Sequence, residues 1–271
     1  MTSLPYVHGY SPWESVRLGD QAQTLSELLH GNERYPADTL VLEAGCGTGA
    51  QTVILARNNP AARFISVDIS PESLERARTA VTQAGLTNVH FEQADIFRLT
   101  FPDGTFDSVF VCFVLEHLAE PVRALAELKR VLRPGGTITV IEGDHGSAYF
   151  HPDSALAQRA VQCLVDLQRQ SGGDALIGRR LFPLLRKAGF PRVEVSPRVV
   201  YADASRPGLV EGFTRNTFNA MVEGVGEQAL RAGMIDAASW RQAIADLHLT
   251  AGPEGVFNYT FFKARAVRPP E

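Results

Sequence analysis

"VLEAGCGTGAQT", residues 41–52, leaves an apolar run, passes three glycines spaced two apart and enters what reads as a helix. Glycine is a poor neighbour for a helix start unless something must come close to the backbone. Spacing alone leaves that partner open between a nicotinamide dinucleotide, a nucleotide phosphate and a nucleoside without phosphate. Gly45, Gly47 and Ala50 fit the dinucleotide pattern G-x-G-x-x-[G/A]. Asp68 ends the next apolar run about 20 residues on, where a ribose would be held.

Neighbouring residues narrow the choice. Glu43 precedes the first glycine by two positions, and a negative group there repels a pyrophosphate docked on the helix N-terminus but suits a ligand with a positive centre. In "QADIF" Asp95 can accept from an adenine amino group, with Ile96 and Phe97 against the ring. No G-K-[ST] follows the glycines, which excludes a Walker-type phosphate loop.

From about 38 to 145 short β-branched runs alternate with helical periods. "TLVLEAG" (39–45), "RFISVDIS" (63–70), "NVHFEQAD" (88–95), "FDSVFVC" opening 106–118, and "TITVIEGD" (137–144) read as strands. "AQTVILARNN" (50–59), "SPESLERARTAVTQAG" (70–85) and "PVRALAELKRVLRPGG" (121–136) read as helices, the second with Ser70 as N-cap, Pro71 at the first position and Gly85 past the end. Such alternation with short links predicts parallel strands joined by right-handed crossovers, an open α/β sheet covered on both faces. Further on, helices are expected around 153–170 and 175–190, and strands at 192–200 and 256–266. The roughly 50 residues between those strands, with helices near 207–231 and 236–249, exceed the short loop adjacent strands need and suggest a lobe over the substrate.

Taken together, "VLEAGCGTG", "ISVDIS", "EQADIF", "FDSVFVCFVLEHL" and "LKRVLRPGGTITVIE" resemble the class I S-adenosylmethionine-dependent methyltransferases. The resemblance is dense over 38–145 and loose beyond. It implies a Rossmann-like seven-stranded, mostly parallel α/β sheet with an antiparallel last strand, an N-terminal cap helix and an inserted helical lobe. The division implied is a cap or gate segment (1–36), a donor-binding core (37–145) and a C-terminal part (146–271) with covering insertions at about 146–175 and 203–250. Carried over by position, Gly45, Cys46, Gly47 and Gly49 let the methionine part of S-adenosylmethionine approach the backbone. Glu43 sits near its amino or sulfonium end, and Gln51 meets its carboxylate. Asp68 takes the ribose hydroxyls and Ile69 the adenine face; Asp95 and Ile96 frame the adenine edge; Phe113, Val114 and His117 pass beneath the sulfonium. S-adenosylhomocysteine is the implied product.

An activated sulfonium asks the protein mainly for alignment, plus a base where the nucleophile carries a proton. His145 and Asp144, in a stretch expected to follow the fifth strand, are the base candidates, with Glu142 behind and Tyr149 and His151 beyond. Tyr6, His8 and Tyr10 around Gly9 read as gate residues ahead of an amphipathic helix. Phe213, Thr217, Phe218 and Met221 are expected to line an apolar wall, with Arg179, Tyr201, Arg215 and Asn219 as polar or aromatic contacts to substrate.

Composition limits the partners. Lys+Arg 26 against Asp+Glu 30 gives −4, and no basic run stands out, so nucleic acid is not an expected partner. No stretch approaches membrane-spanning length, no signal peptide is apparent, and the histidines lack metal-ligand spacing, so no metal is expected. Three scattered cysteines fit a reducing, cytoplasmic setting. The expectation is methyl transfer to an O, N or C nucleophile of a small molecule, a homodimer being compatible with the sequence. The alternatives are a protein or nucleic-acid methyltransferase, disfavoured for nucleobases because "CFVLEH" replaces an N/D-P-P-[FYW] signature, and a non-catalytic donor-binding module.

Overall fold

Boundary chemistry places the first half of the chain. The computed structural model describes residues 21–270. Helix α1 (Ser26–His30) leads to β1 (Leu40–Ala44), α2 (Ala50–Asn58), β2 (Arg63–Asp68), α3 (Pro71–Gln83), β3 (Val89–Gln93) and β4 (Phe106–Cys112). Ser70 caps α3 as its spacing predicts, its side chain accepting from Ser73 N–H with Pro71 at the first position. Helix α4 (Pro121–Val131) is followed by β5 (Leu132–His151). The strands join one seven-stranded sheet in the order β3-β2-β1-β4-β5-β7-β6, where β6 is Val193–Ala202 and β7 Val256–Val267. Strands β1 to β5 pair in parallel, and the last strand runs antiparallel. The order reverses between β1 and β4, and the crevice beyond the carboxyl ends of strands at such a switch point is where open α/β sheets take ligands.

Two elements depart from the sequence reading. Helix α4 stops at Val131, three residues ahead of the Pro134 expected to end it, and Arg268 takes over its end. The Arg268 guanidinium donates to the carbonyls of Lys129 (3.1 Å), Arg130 (2.8 Å) and Leu132 (2.6 Å), satisfying groups the helix leaves open. Strand β5 starts at Leu132, shifts register against β4 between Phe106 and Ser108, and runs on to His151. Asp144, His145, Tyr149 and His151 therefore lie on the strand and not in a loop after it.

The chain forms two compact units, and β5, β6 and β7 contribute residues to both. The core unit holds 26–142, 178–196 and 262–270. Its interior is Val41, Leu42, Phe64, Val67, Val109, Phe110, Val111, Ile138 and Val140, all at most 1% exposed, as continuous apolar strands covered on both faces require. The expected helix at 175–190 resolves into a 3-10 turn (Ile177–Arg180) and α6 (Leu181–Lys187), leaving Ala155–Gln170 as α5.

The second unit holds 143–177 and 197–261 together with 21–25. Its expected helix at 207–231 is α7 (Pro207–Leu209), a π-helix (Val210–Asn219), α8 (Ala220–Gly224) and α9 (Gly226–Arg231), followed by α10 (Ala237–Leu249). In the π-helix the Thr217 hydroxyl donates to Gly212 carbonyl, five residues back, at 2.7 Å. Phe213 and Phe218, whose helical spacing suits either an apolar wall or the core, are 1% exposed and packed against β7. Phe257, Tyr259 and Phe261 alternate along that strand and so share one face. Phe213 lies 6.0, 5.4 and 5.6 Å from them in turn, centroid to centroid. This aromatic set is the unit's core, with Thr217 and Met221 also buried. Among the described residues no helix is long and apolar enough to cross a membrane.

Candidate functional site

In the core unit the three glycines divide their work. All have positive φ: 77° at Gly45, 52° at Gly47 and 83° at Gly49. A Cβ on Gly45 would meet Val114 Cγ2 at 2.5 Å, and one on Gly49 would meet Ala77 Cα at 2.9 Å. Those two therefore let the turn after β4 and helix α3 close on the loop. A Cβ on Gly47 would meet nothing within 4 Å, so its bare face looks into open space where a ligand can approach. Cys46 is buried in the apolar cluster of Leu74, Ala77, Val81 and Phe91, and burial pushes its thiol up. Its side chain is core, and only its backbone belongs to the loop.

Asp68 fixes this loop. Its Oδ2 accepts from Gly47 N–H at 2.8 Å and its Oδ1 from Ser70 N–H at 2.9 Å. Ile69, beside it, is 56% exposed, an uncovered apolar face at the strand end. The next strand end joins through Ala94 N–H to Asp68 carbonyl (3.0 Å) and Gln93 Nε2 to Ile69 carbonyl (3.0 Å). Asp95 then turns the chain, its Oδ1 accepting from Phe97 N–H at 2.9 Å, with half-buried Ile96 between them.

The turn after β4 is strained. Phe113 has φ 58°, a conformation costing a side-chain-bearing residue about 1–3 kcal/mol. Glu142, fully buried on β5, holds it: Oε1 accepts from Val114 N–H at 3.0 Å and Leu115 N–H at 2.7 Å. Burial, reinforced by Glu116, pushes the Glu142 carboxyl well above the usual carboxylate range. His117 Nε2 lies 3.6 Å from Glu116 Oε1. Glu142, which stands just behind the base candidates in sequence, thus has one carboxyl oxygen engaged by this turn.

Glu43 lies under the loop, 2% exposed, with Oε2 accepting from the hydroxyls of Thr52 (2.7 Å) and Ser66 (2.6 Å). Burial raises its pKa from 4.5 to about 7 against the pull of those hydroxyls. A carboxyl that holds its proton more tightly folded than unfolded makes stability fall as pH rises from about 4.5 to 7. Glu43→Gln is expected to flatten that fall and to gain on the order of 3 kcal/mol over the native protein at pH 8. Urea titrations at pH 5 and pH 8 check it; parallel losses in both proteins would refute it. Gln51, in the first turn of α2, meets a residue that sequence reading passed over: His30 Nε2 lies 2.5 Å from its Oε1.

The substrate-side residues are less unified. In the second unit His145 is 6% exposed, its Nδ1 is 2.7 Å from Tyr259 Oη, and its ring lies edge-on to Phe218 at 6.2 Å. In sequence Tyr259 is one residue of a strand, and its signal is the phenol hydroxyl in an aromatic alternation. A Cβ on Gly143 would strike that hydroxyl, so the glycine makes room for it. Asp144 is 2% exposed and turns back on its own chain, Oδ1 accepting from Gly146 N–H at 3.1 Å. Tyr149 is exposed; Tyr201 is exposed near the end of β6, its hydroxyl pKa raised by Asp203, with Arg206 over its ring. Arg215 is held by Glu211 (3.1 Å) and the Ala251 carbonyl (3.1 Å), and Asn219 Nδ2 donates to Leu247 carbonyl at 2.9 Å. Those two brace the lobe's helices. Arg179 is exposed on its 3-10 turn in the core unit. Tyr6, His8 and Tyr10 lie outside the described residues. Among the described residues no group of three or more His, Cys, Asp or Glu side chains could hold a metal.

Strand order, glycine turn and acids at two successive strand ends define a nucleoside-binding α/β domain, and comparison with known proteins says which. The profile described as "Methyltransferase domain" matches residues 42–140. An O-methyltransferase of Penicillium expansum is 32% identical over 199 residues, 70% of this chain and 67% of that one. The 27-O-demethylrifamycin SV methyltransferase of Amycolatopsis mediterranei is 32% identical over 134 residues, 49% of each chain. The crystal structure of the YcgJ protein of Bacillus subtilis covers 92% of this chain and 99% of its own with a TM-score of 0.59 at 17% identity, a likeness of fold. The chain belongs to the class I S-adenosylmethionine-dependent methyltransferases. It aligns with between 34% and 62% of the length of the first curated relatives it matches.

Proposed function

We propose that the protein transfers a methyl group from S-adenosylmethionine to an oxygen, nitrogen or carbon nucleophile of a small molecule. The observation that carries this reading is the open face of Gly47 beside an Asp68 carboxylate locked by two backbone N–H groups, with Ile69 bared next to it. That cradle suits a nucleoside: Asp68 for ribose hydroxyls, Ile69 and Ile96 for the adenine, Asp95 for its amino edge, Gln51 for a carboxylate, and the Phe113–His117 turn for the sulfonium end. When bound, the donor supplies an already activated methyl electrophile, which leaves alignment and proton removal to the protein. The names of two relatives, a rifamycin methyltransferase and an O-methyltransferase, favour a small-molecule acceptor and, among the three nucleophiles, oxygen. The net charge of −4 points the same way, against nucleic acid.

His145 is the base in this reading. Its Nδ1 lies 2.7 Å from Tyr259 Oη, which orients the ring, and Asp144 stays beside it as a turn-former. His145→Ala is expected to lower turnover about 10²–10⁴-fold and to leave S-adenosylhomocysteine affinity within about twofold. The test is S-adenosylhomocysteine release from S-adenosylmethionine with a panel of phenols, alcohols, amines and carbon acids, followed by the variant on whichever acceptor reacts. Unchanged turnover would remove His145 from the mechanism; no acceptor in any class, with donor bound, would favour a non-catalytic donor-binding module. The buried thiols of Cys46, Cys112 and Cys163 accord with a reducing, cytoplasmic setting.

A further inference from the structure

Helix α1 ends on His30, whose ring is fully buried and tilted against Phe110 at 5.6 Å. Burial lowers its pKa from 6.5 to about 4, so at neutral pH the ring carries a single N–H. Nε2 faces Gln51 Oε1 at 2.5 Å, and Nδ1 is enclosed without a hydrogen-bond partner. An amide oxygen only accepts, so this contact needs the proton on Nε2. The alternative tautomer would bury an unpaired Nδ1–H and set the Nε2 lone pair against the amide oxygen. The enclosure of Nδ1 therefore selects the Nε2–H form.

That choice has a consequence for Gln51. Once its Oε1 is taken by His30, the amide can no longer flip, and its two N–H donors are turned away from the histidine. Gln51 stands in the first turn of a nine-residue helix, where the macrodipole also favours negative charge.

We propose that His30 is a positioning residue that fixes the Gln51 amide with its N–H donors toward the carboxylate of the donor's methionine moiety, so that the end of α1 contributes to donor affinity. This rests on the donor reading above and adds to it a second residue, beyond the glycine loop and the acids, that selects the amino-acid end of the ligand.

The test uses two ligands. S-adenosylhomocysteine carries the amino-acid carboxylate, whereas 5′-methylthioadenosine keeps the nucleoside and sulfur without it. Calorimetric titration of His30→Leu and Gln51→Leu is expected to show roughly tenfold weaker S-adenosylhomocysteine binding and less than about twofold change for 5′-methylthioadenosine, the size of one charge-assisted hydrogen bond. The double variant should lose no more than either single one, since both break the same contact. In the native protein, long-range 1H–15N correlation should show the His30 proton on Nε2. Equal weakening of both ligands, additive losses, or a proton on Nδ1 would each overturn the proposal; Gln51→Leu and the native-protein spectrum decide it even where His30→Leu folds poorly. Failure of the native protein to bind S-adenosylhomocysteine at all would instead overturn the donor reading and this inference with it.

Discussion

Lys263→Met is expected to destabilise the protein by about 3–5 kcal/mol, because it strands a carboxylate in the core. Lys263 Nζ lies 2.6 Å from Glu33 Oε1, and both side chains are 1% exposed. The ammonium also donates to the Leu29 carbonyl (2.9 Å) and Asn32 Oδ1 (2.8 Å), so the segment after α1 is tied to strand β7 by one buried cation. Glu33 Oε2 receives the Tyr35 hydroxyl at 3.3 Å and the Thr139 hydroxyl at 3.4 Å, neutral donors that cannot replace an opposite charge. Removing the lysine leaves the carboxylate to pay its desolvation alone, and for a chain of this size the melting temperature should fall by roughly 10 °C. Removing both charges, as Glu33→Leu with Lys263→Met, should recover at least half of the loss, since an apolar pair of similar volume can match a buried ion pair. Thermal melts of the two single variants and the double variant check this; losses that simply add would contradict it.

Asp68→Ala is expected to weaken S-adenosylhomocysteine binding about 10²–10⁴-fold, the combined size of two hydrogen bonds to a charged group. Two effects act through the same side chain. The carboxylate holds the Gly47 and Ser70 N–H groups and so sets the shape of the glycine loop. Its remaining lone pairs are the ones assigned to the ribose hydroxyls. Asp68→Asn keeps one oxygen and should fall between the native protein and Asp68→Ala. Calorimetry with S-adenosylhomocysteine distinguishes the three; an Asp68→Ala protein that folds and binds within threefold of native would place the nucleoside elsewhere.

The glycine turn and the strand-end acids were legible in sequence because their requirements are local. Three glycines with positive φ, an acid ending one strand and another just past the next are positional demands, and each falls where the turn or strand end needs it. The parallel character of the sheet followed from alternation and short links, and its seven strands with an antiparallel last one from the family resemblance. What escaped depended on tertiary neighbours. His30 reads as the last residue of an amphipathic helix, and nothing local says that it meets Gln51. Lys263 interrupts an apolar strand, but its partner lies 230 positions away. Strand β5 was cut short at Asp144 because "GDHGS" is turn chemistry in isolation, whereas pairing overrides it to His151. The lobe misled for a related reason: Phe213 and Phe218 have the helical spacing of either a pocket wall or a core, and only the aromatic face of β7 decides for the core.

A sulfur-bearing nucleoside, and not a dinucleotide, is the ligand proposed for the glycine turn. Calorimetric titration of the native protein with S-adenosylhomocysteine and, separately, with NAD puts this to direct test. Micromolar binding of S-adenosylhomocysteine with no heat from NAD is the predicted result. Binding of NAD without binding of S-adenosylhomocysteine would contradict it.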